Sequence, residues 1–114
     1  SAFPYFVYEY DGVVLGYCYA HLWKEREAYS KTLETTVYLT PESCHKGIGN
    51  LLMCRLIDEC RSRGYHALIA CITADNLSSL QVHHRLGFCQ VSRFPKVGRK
   101  FGLWLDVIDL ELIL

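Results

Sequence analysis

The sequence predicts an α/β fold, a single domain with a mixed sheet and helices on it, and three observations carry that reading. Residues 35–39 form a β-branched and aromatic run that passes through Pro41 and the glycine pair Gly47 and Gly49 into a helical stretch, and an apolar strand follows over 65–72. A strand, helix, strand order implies a right-handed parallel crossover. Asp11-Gly12 between two strand-like runs is a two-residue hairpin signal, which adds antiparallel pairing. At 114 residues the chain holds one modest core and has little surplus for a second.

In order, residues 5–10 are rich in aromatic and β-branched side chains, and the Asp11-Gly12 turn leads into a second strand over 13–21. Residues 22–30 break the alternation with Trp23, Lys24, Glu25, Arg26, Glu27 and Tyr29, as a loop or a short helical turn would. The third strand covers 32–39, and its Glu34 is either an outward solvated carboxylate or an inward one facing a cleft. Over 47–63, Ile48, Leu52, Leu56 and Cys60 fall at i, i+4 and Met53 and Ile57 widen the stripe, so this helix packs on a sheet. Gly64 supplies a left-handed stop, and 65–72 resumes as a buried strand. Asp75-Asn76 then opens a turn, and Ser78 or Ser79 is placed to cap a short helix running through Arg85 to Gly87. A strand over 88–94, a basic loop over 95–102 with Lys96, Arg99 and Lys100, and an apolar strand over 103–114 complete the chain.

Acidic and basic side chains balance at twelve each, which argues against a dedicated binder of nucleic acid or of a membrane surface. No apolar run approaches the roughly 20 residues that cross a bilayer, so the chain is expected to be soluble. The six cysteines include no Cys-x-x-Cys and several fall at inward-facing positions, so they are expected to be reduced thiols in a cytoplasmic protein. The chain opens Ser1-Ala2-Phe3-Pro4 without a methionine and runs almost at once into a strand, as a domain short of its front would.

The chemistry centres on Cys44-His45-Lys46-Gly47-Ile48-Gly49-Asn50. The first N–H groups of a helix have no intrahelical partner, and glycines clear side chains from an approaching ligand, so this corner suits phosphate. A glycine pair before a helix is more often the mark of a tight turn than of a nucleotide site, and it does not decide alone. Two nucleotide loops are excluded by spelling: the dinucleotide pattern needs glycine where Leu52 stands, and the triphosphate loop needs Gly-Lys-Ser/Thr where Gly49-Asn50-Leu51 stands. The pairs Cys44-His45 and His83-His84 are adjacent, which points their side chains apart, so no metal site is expected. Nothing in the spacing brings Cys44 or Cys71 to His83 as a nucleophile and base. His83 itself is either a partly buried structural histidine or a proton donor to a leaving group. Trp23, Arg26 and Tyr29 are either a folded-over loop or a pocket for a small carboxylate.

The order strand, Cys44-His45-Lys46-Gly47-Ile48-Gly49, long helix, strand, Asp75-Asn76, short helix, His83-His84-Arg85-Leu86-Gly87-Phe88 resembles the GNAT superfamily of acetyl-CoA-dependent N-acetyltransferases. The spellings Trp23-Lys24-x-Arg26-x-Ala28-Tyr29, Thr32-x-Glu34-x-x-Val37-Tyr38-Leu39 and Gly98-x-Lys100-x-Gly102-x-Trp104-x-Asp106-Val107 are similar to its phosphinothricin N-acetyltransferase branch. The resemblance implies a mixed, mostly antiparallel sheet with a central parallel pair and flanking helices, lacking the family's first strand and first two helices. Cys44 departs from the Gln or Arg usual in that loop.

The resemblance further implies acetyl-CoA as cosubstrate, its pyrophosphate cradled by the amides of His45, Lys46, Gly47, Ile48, Gly49 and Asn50. The pantetheine arm would lie along Val37, Tyr38 and Leu39, with the acetyl carbonyl polarised by an N–H near Leu39 and Asn76 opposite. Glu34 would take a proton from the amine through water, and His83 would protonate the leaving thiolate or touch the coenzyme. Arg26, Tyr29 and Lys100 would recognise the acceptor, a small-molecule amine, and a homodimer is expected.

Overall fold

The structure is a computed structural model and describes residues 3–114; Ser1 and Ala2, which open the chain, lie outside the described residues. β1 (Tyr5–Tyr10) and β2 (Val13–Leu22) are joined by Asp11 and Gly12 with φ of 52° and 79°, the two left-handed residues of a type I′ turn. A loop with a 3-10 turn at Glu27–Tyr29 leads to β3 (Thr32–Leu39). After it come α1 (Ile48–Ser62), β4 (Ala67–Thr73), α2 (Leu77–Arg85), β5 (Cys89–Lys100) and β6 (Leu103–Ile113). The sheet order is β1-β2-β3-β4-β6-β5, and among the described residues every pairing is antiparallel except β3 with β4. This is the mixed sheet with a central parallel pair that the sequence predicts.

The i, i+4 stripe of α1 is buried as expected, with Leu52, Met53, Leu56, Ile57 and Cys60 against Cys18, Ala20, Leu33, Leu68, Ala70, Ile72, Ile108 and Leu110 of the sheet. The helix ends in a Schellman motif: Gly64 N–H donates to Arg61 O and Tyr65 N–H to Cys60 O, both at 3.1 Å. Leu80 and Leu86 of the α2 segment pack against the same cluster, so both helices cover one face. The other face carries no helix among the described residues. Across it run stacked tyrosine rings, Tyr5 with Tyr17 and Tyr19, and Tyr17 with Tyr38, with centroids 5.3–6.0 Å apart.

Two expectations are corrected. Neither Ser78 nor Ser79 caps α2; the Asn76 side chain does, accepting from Ser79 N–H at 3.2 Å, because an Asx oxygen three residues upstream reaches the N3 amide. Residues 95–100 are strand and not loop. β5 is an edge strand, where the missing N–H of Pro95 breaks no ladder, and the irregularity between Phe94 and Gly98 absorbs the extra residues. Lys96 takes a φ of 52° there, its N–H donating to Asp106 Oδ1 at 2.9 Å while Arg93 holds Oδ2 at 2.8 Å.

Candidate acyl-carrier site

The cleft begins where two strands part. Trp23 N–H donates to Thr32 O and Thr40 N–H to Leu15 O, so the even-numbered residues of β3 direct their backbone groups toward β2. The odd-numbered ones face β4. Leu33 and Thr35 meet it, but the register stops at Thr35 opposite Ala70. Val37 and Leu39 therefore offer N–H and C=O to a gap.

Beside this gap the chain turns through the 3-10 turn Pro41–Ser43 into α1. His45 and Gly47 hold φ of 64° and 81°, and Gly47 is an N-cap whose side chain can supply no acceptor. The first amide of the helix to find a partner is that of Leu51, on Gly47 O at 3.1 Å. The amides of His45 through Asn50 meet no acceptor among the described residues. Alternating backbone sense with free N–H groups at a helix start concentrates positive potential, and an anion completes it. The resulting cleft holds about 570 Å³ and runs from Val37, Tyr38 and Leu39 past His45, Gly47, Gly49 and Asn50 to α2. Its charged lining is basic, from Arg85 and Lys100, with no carboxylate among the described lining residues.

On the α2 wall, His83 is 2% exposed, its ring edge-on to Phe88 with centroids 4.9 Å apart. Nδ1 lies 2.7 Å from the Ser79 carbonyl oxygen, which can only accept, so Nδ1 carries the proton and Nε2 a lone pair. Burial lowers the imidazole below its ordinary range; the Ser79 bond opposes this and His84 adds to it. His83 is thus a neutral acceptor at pH 7. Asn76 also lines the cleft, but its Oδ1 is committed to the α2 cap, so its remaining side-chain donor is the Nδ2 amide group.

The sequence-predicted residues divide. The cleft gathers Val37, Tyr38, Leu39, His45, Gly47, Gly49, Asn50, Asn76 and His83, whereas the Lys46 side chain is exposed and Ile48 is buried beneath α1, neither lining it. Lys100, expected with the acceptor, lies on this same cleft. Arg26 and Tyr29 do not. They sit in the exposed turn before β3, where the Tyr29 ring meets Trp23 edge-on at 5.5 Å, roughly 20 Å along β3 from Leu39 at about 3.3 Å per residue. Glu34 is half-buried on the helix-free face, between His21 and Ile69. Beyond it on that face the Cys71 thiol is pushed up to about 11 by partial burial and then by the Asp109 and Glu34 carboxylates, so it stays protonated. Sequence reasoning missed Ser78, Ser79, Gln81, Val82 and Arg85 on the cleft wall; the spacing of 78, 82 and 85 on one helical face was the signal available, and Cys44 of the glycine loop also lines the cleft.

Residues 1–88 match the acetyltransferase (GNAT) family. The chain is 40% identical over 112 residues to an L-amino acid N-acyltransferase of Escherichia coli, covering 98% of this chain and 65% of that protein. It is 41% identical over 110 residues to an L-methionine sulfoximine/L-methionine sulfone acetyltransferase of Salmonella typhimurium, covering 96% and 64%. The solved structure of a phosphinothricin acetyltransferase from Sinorhizobium meliloti in complex with acetyl-CoA superposes with a TM-score of 0.93 at 36% identity, covering 98% of this chain and 61% of that one. The chain therefore spans slightly less than two thirds of the length of these relatives.

Proposed function

The chain belongs to the GNAT family of acetyltransferases, and from that premise we propose that it binds acetyl-CoA in the cleft and transfers the acetyl group to the amine of a small molecule. The acceptor class is an amino acid or an analogue of the kind the relatives' names describe, phosphinothricin or methionine sulfoximine. One observation carries the reading: the unpartnered amides of His45 through Asn50 adjoin a strand edge whose Val37 and Leu39 backbone groups face open space. The amides and the Arg85 and Lys100 cations suit a diphosphate, and the strand edge suits the two amides of a pantetheine arm, which would pair with it as an added strand.

The amine nitrogen attacks the thioester carbonyl carbon, the carbonyl oxygen gains charge against the Leu39 N–H, and the C–S bond then breaks to release the thiolate. The amine must arrive neutral, and Glu34 on the helix-free face of β3 takes its proton through water. His83, as a neutral acceptor, contacts the coenzyme through Nε2, and the thiolate takes its proton from solvent. Lys100 serves the coenzyme in this arrangement, and Arg26 and Tyr29 reach an acceptor only if it extends along the helix-free face. We assign a homodimer, which would cover part of that face, and a cytoplasmic setting in keeping with six free thiols.

Calorimetric titration with acetyl-CoA tests the binding, and no heat at millimolar ligand with a folded sample would overturn it. For the transfer step, Glu34→Gln is expected to cut turnover at least tenfold in a thiol-release assay while coenzyme affinity stays within threefold. A second reading, coenzyme binding without transfer, is favoured by the position of Glu34 outside the cleft lining. It predicts saturable binding with no thiol released over a panel of amino acids.

A further inference from the structure

Leu39 belongs at once to the strand edge and to the helix start. Gly16 of β2 stands directly across from it in the ladder. A Cβ built on Gly16 would lie 2.7 Å from Leu39 Cδ2, 2.8 Å from the Tyr38 carbonyl oxygen and 3.3 Å from Leu52 Cδ1. On the other side, a Cβ on Gly49 would lie 3.4 Å from Leu39 Cδ1. The two methyls of Leu39 thus fill the space over two bare glycines, one in the sheet and one in the first turn of α1, with Leu52 closing the seat. Gly16 has ordinary strand backbone, so its glycine is required by space and not by φ.

We infer that the Leu39 side chain, seated between Gly16 and Gly49, is a spacer that sets the distance between the strand edge holding the acyl end of the coenzyme and the amides holding its diphosphate. Gly16 and Leu39 are positioning residues in this sense, and the inference deepens the acetyl-CoA reading and rests on it for its catalytic consequence. The carbonyl-polarising N–H is on Leu39 itself, so displacing its side chain moves a donor that works only within about 0.5 Å of its productive place. The diphosphate amides belong to α1, whose buried stripe holds the helix independently. Filling the Gly16 site should therefore lower turnover more than it lowers coenzyme affinity. Packed interiors transmit such a displacement because no void absorbs it.

The test uses amide resonances of the free protein together with kinetics. Gly16→Ala is expected to move the amide signals of Gly49 and Asn50, more than 30 residues away in sequence, and Leu39→Ala to move them too. In the Leu39→Ala background, adding Gly16→Ala is expected to leave those signals where Leu39→Ala alone put them. An undiminished shift in that background would mean that the Tyr38 carbonyl, 2.8 Å from the new Cβ, or Leu52 carries the strain without the Leu39 side chain, which overturns the inference. In kinetics, Gly16→Ala, which lies outside the cleft lining, is expected to lower kcat at least tenfold while the affinity for coenzyme A, by calorimetry, stays within threefold. An equal loss of both, or no loss of kcat, also overturns it. A parent chain that releases no thiol would overturn the proposed transfer, and the spacer would still be decided by the resonances. If Gly16→Ala does not fold, Leu39→Val, one methylene shorter on the same backbone, must shift Gly49 and Asn50 for the inference to hold.

Discussion

At His83, burial and one hydrogen bond act on the imidazole in opposite directions, and burial wins. Its folded-state pKa lies below the ordinary 6.5, so the native chain binds fewer protons than the unfolded chain as the pH falls through that value. The stabilisation is complete above pH 6.5 and is lost progressively on acidification toward the depressed pKa. Urea unfolding between pH 7.5 and 5 is expected to show stability declining on the acid side, and the decline should be shallower in His83→Gln; parallel curves would place the proton uptake elsewhere. Cys71 gives a second expectation. With its thiol near 11, it should alkylate more slowly at pH 8 in the native protein than in urea, read by peptide mass mapping.

Among the elements, α1 is legible in the sequence because its signal is local: a stripe at i, i+4, a glycine entrance and a glycine stop. Leu56, fully buried in that stripe, should cost about 2–5 kcal/mol when cut to alanine, measured by chemical denaturation. The start of α2 is legible only in outline, since three polar residues compete for the cap and only geometry shows that Asn76 reaches the third amide. Asn76→Ala is expected to cost about 1 kcal/mol and to weaken coenzyme affinity as α2 loosens. β5 is misread past Phe94 because Pro95 signals a break in any interior strand. Its edge position, which makes the proline harmless, depends on β6 pairing with both β4 and β5, a fact no local window contains.

Taken whole, the molecule is a sheet with helices on one side and a row of tyrosines on the other, where Tyr5, Val7 and Tyr38 are each about half exposed. Surfaces of this kind promote association. Sedimentation is expected to show concentration-dependent self-association, and Tyr5→Glu should shift it toward monomer; an unchanged profile would clear this face of that role. The amide-lined half of the candidate site is legible in the sequence because backbone chemistry at a glycine-rich helix start needs no long-range information. The wall from α2 is half legible, and the Arg26 and Tyr29 placement is not, because which end of β3 a loop occupies relative to the cleft is settled only by the assembled sheet.

The kink at Pro95 and Lys96 has a further consequence. A chain that would lengthen the sheet sideways by hydrogen bonding needs an unbroken, evenly spaced row of donors and acceptors, and β5 offers a missing donor and a left-handed residue in its middle. Strand addition along β5 is therefore opposed by its own backbone.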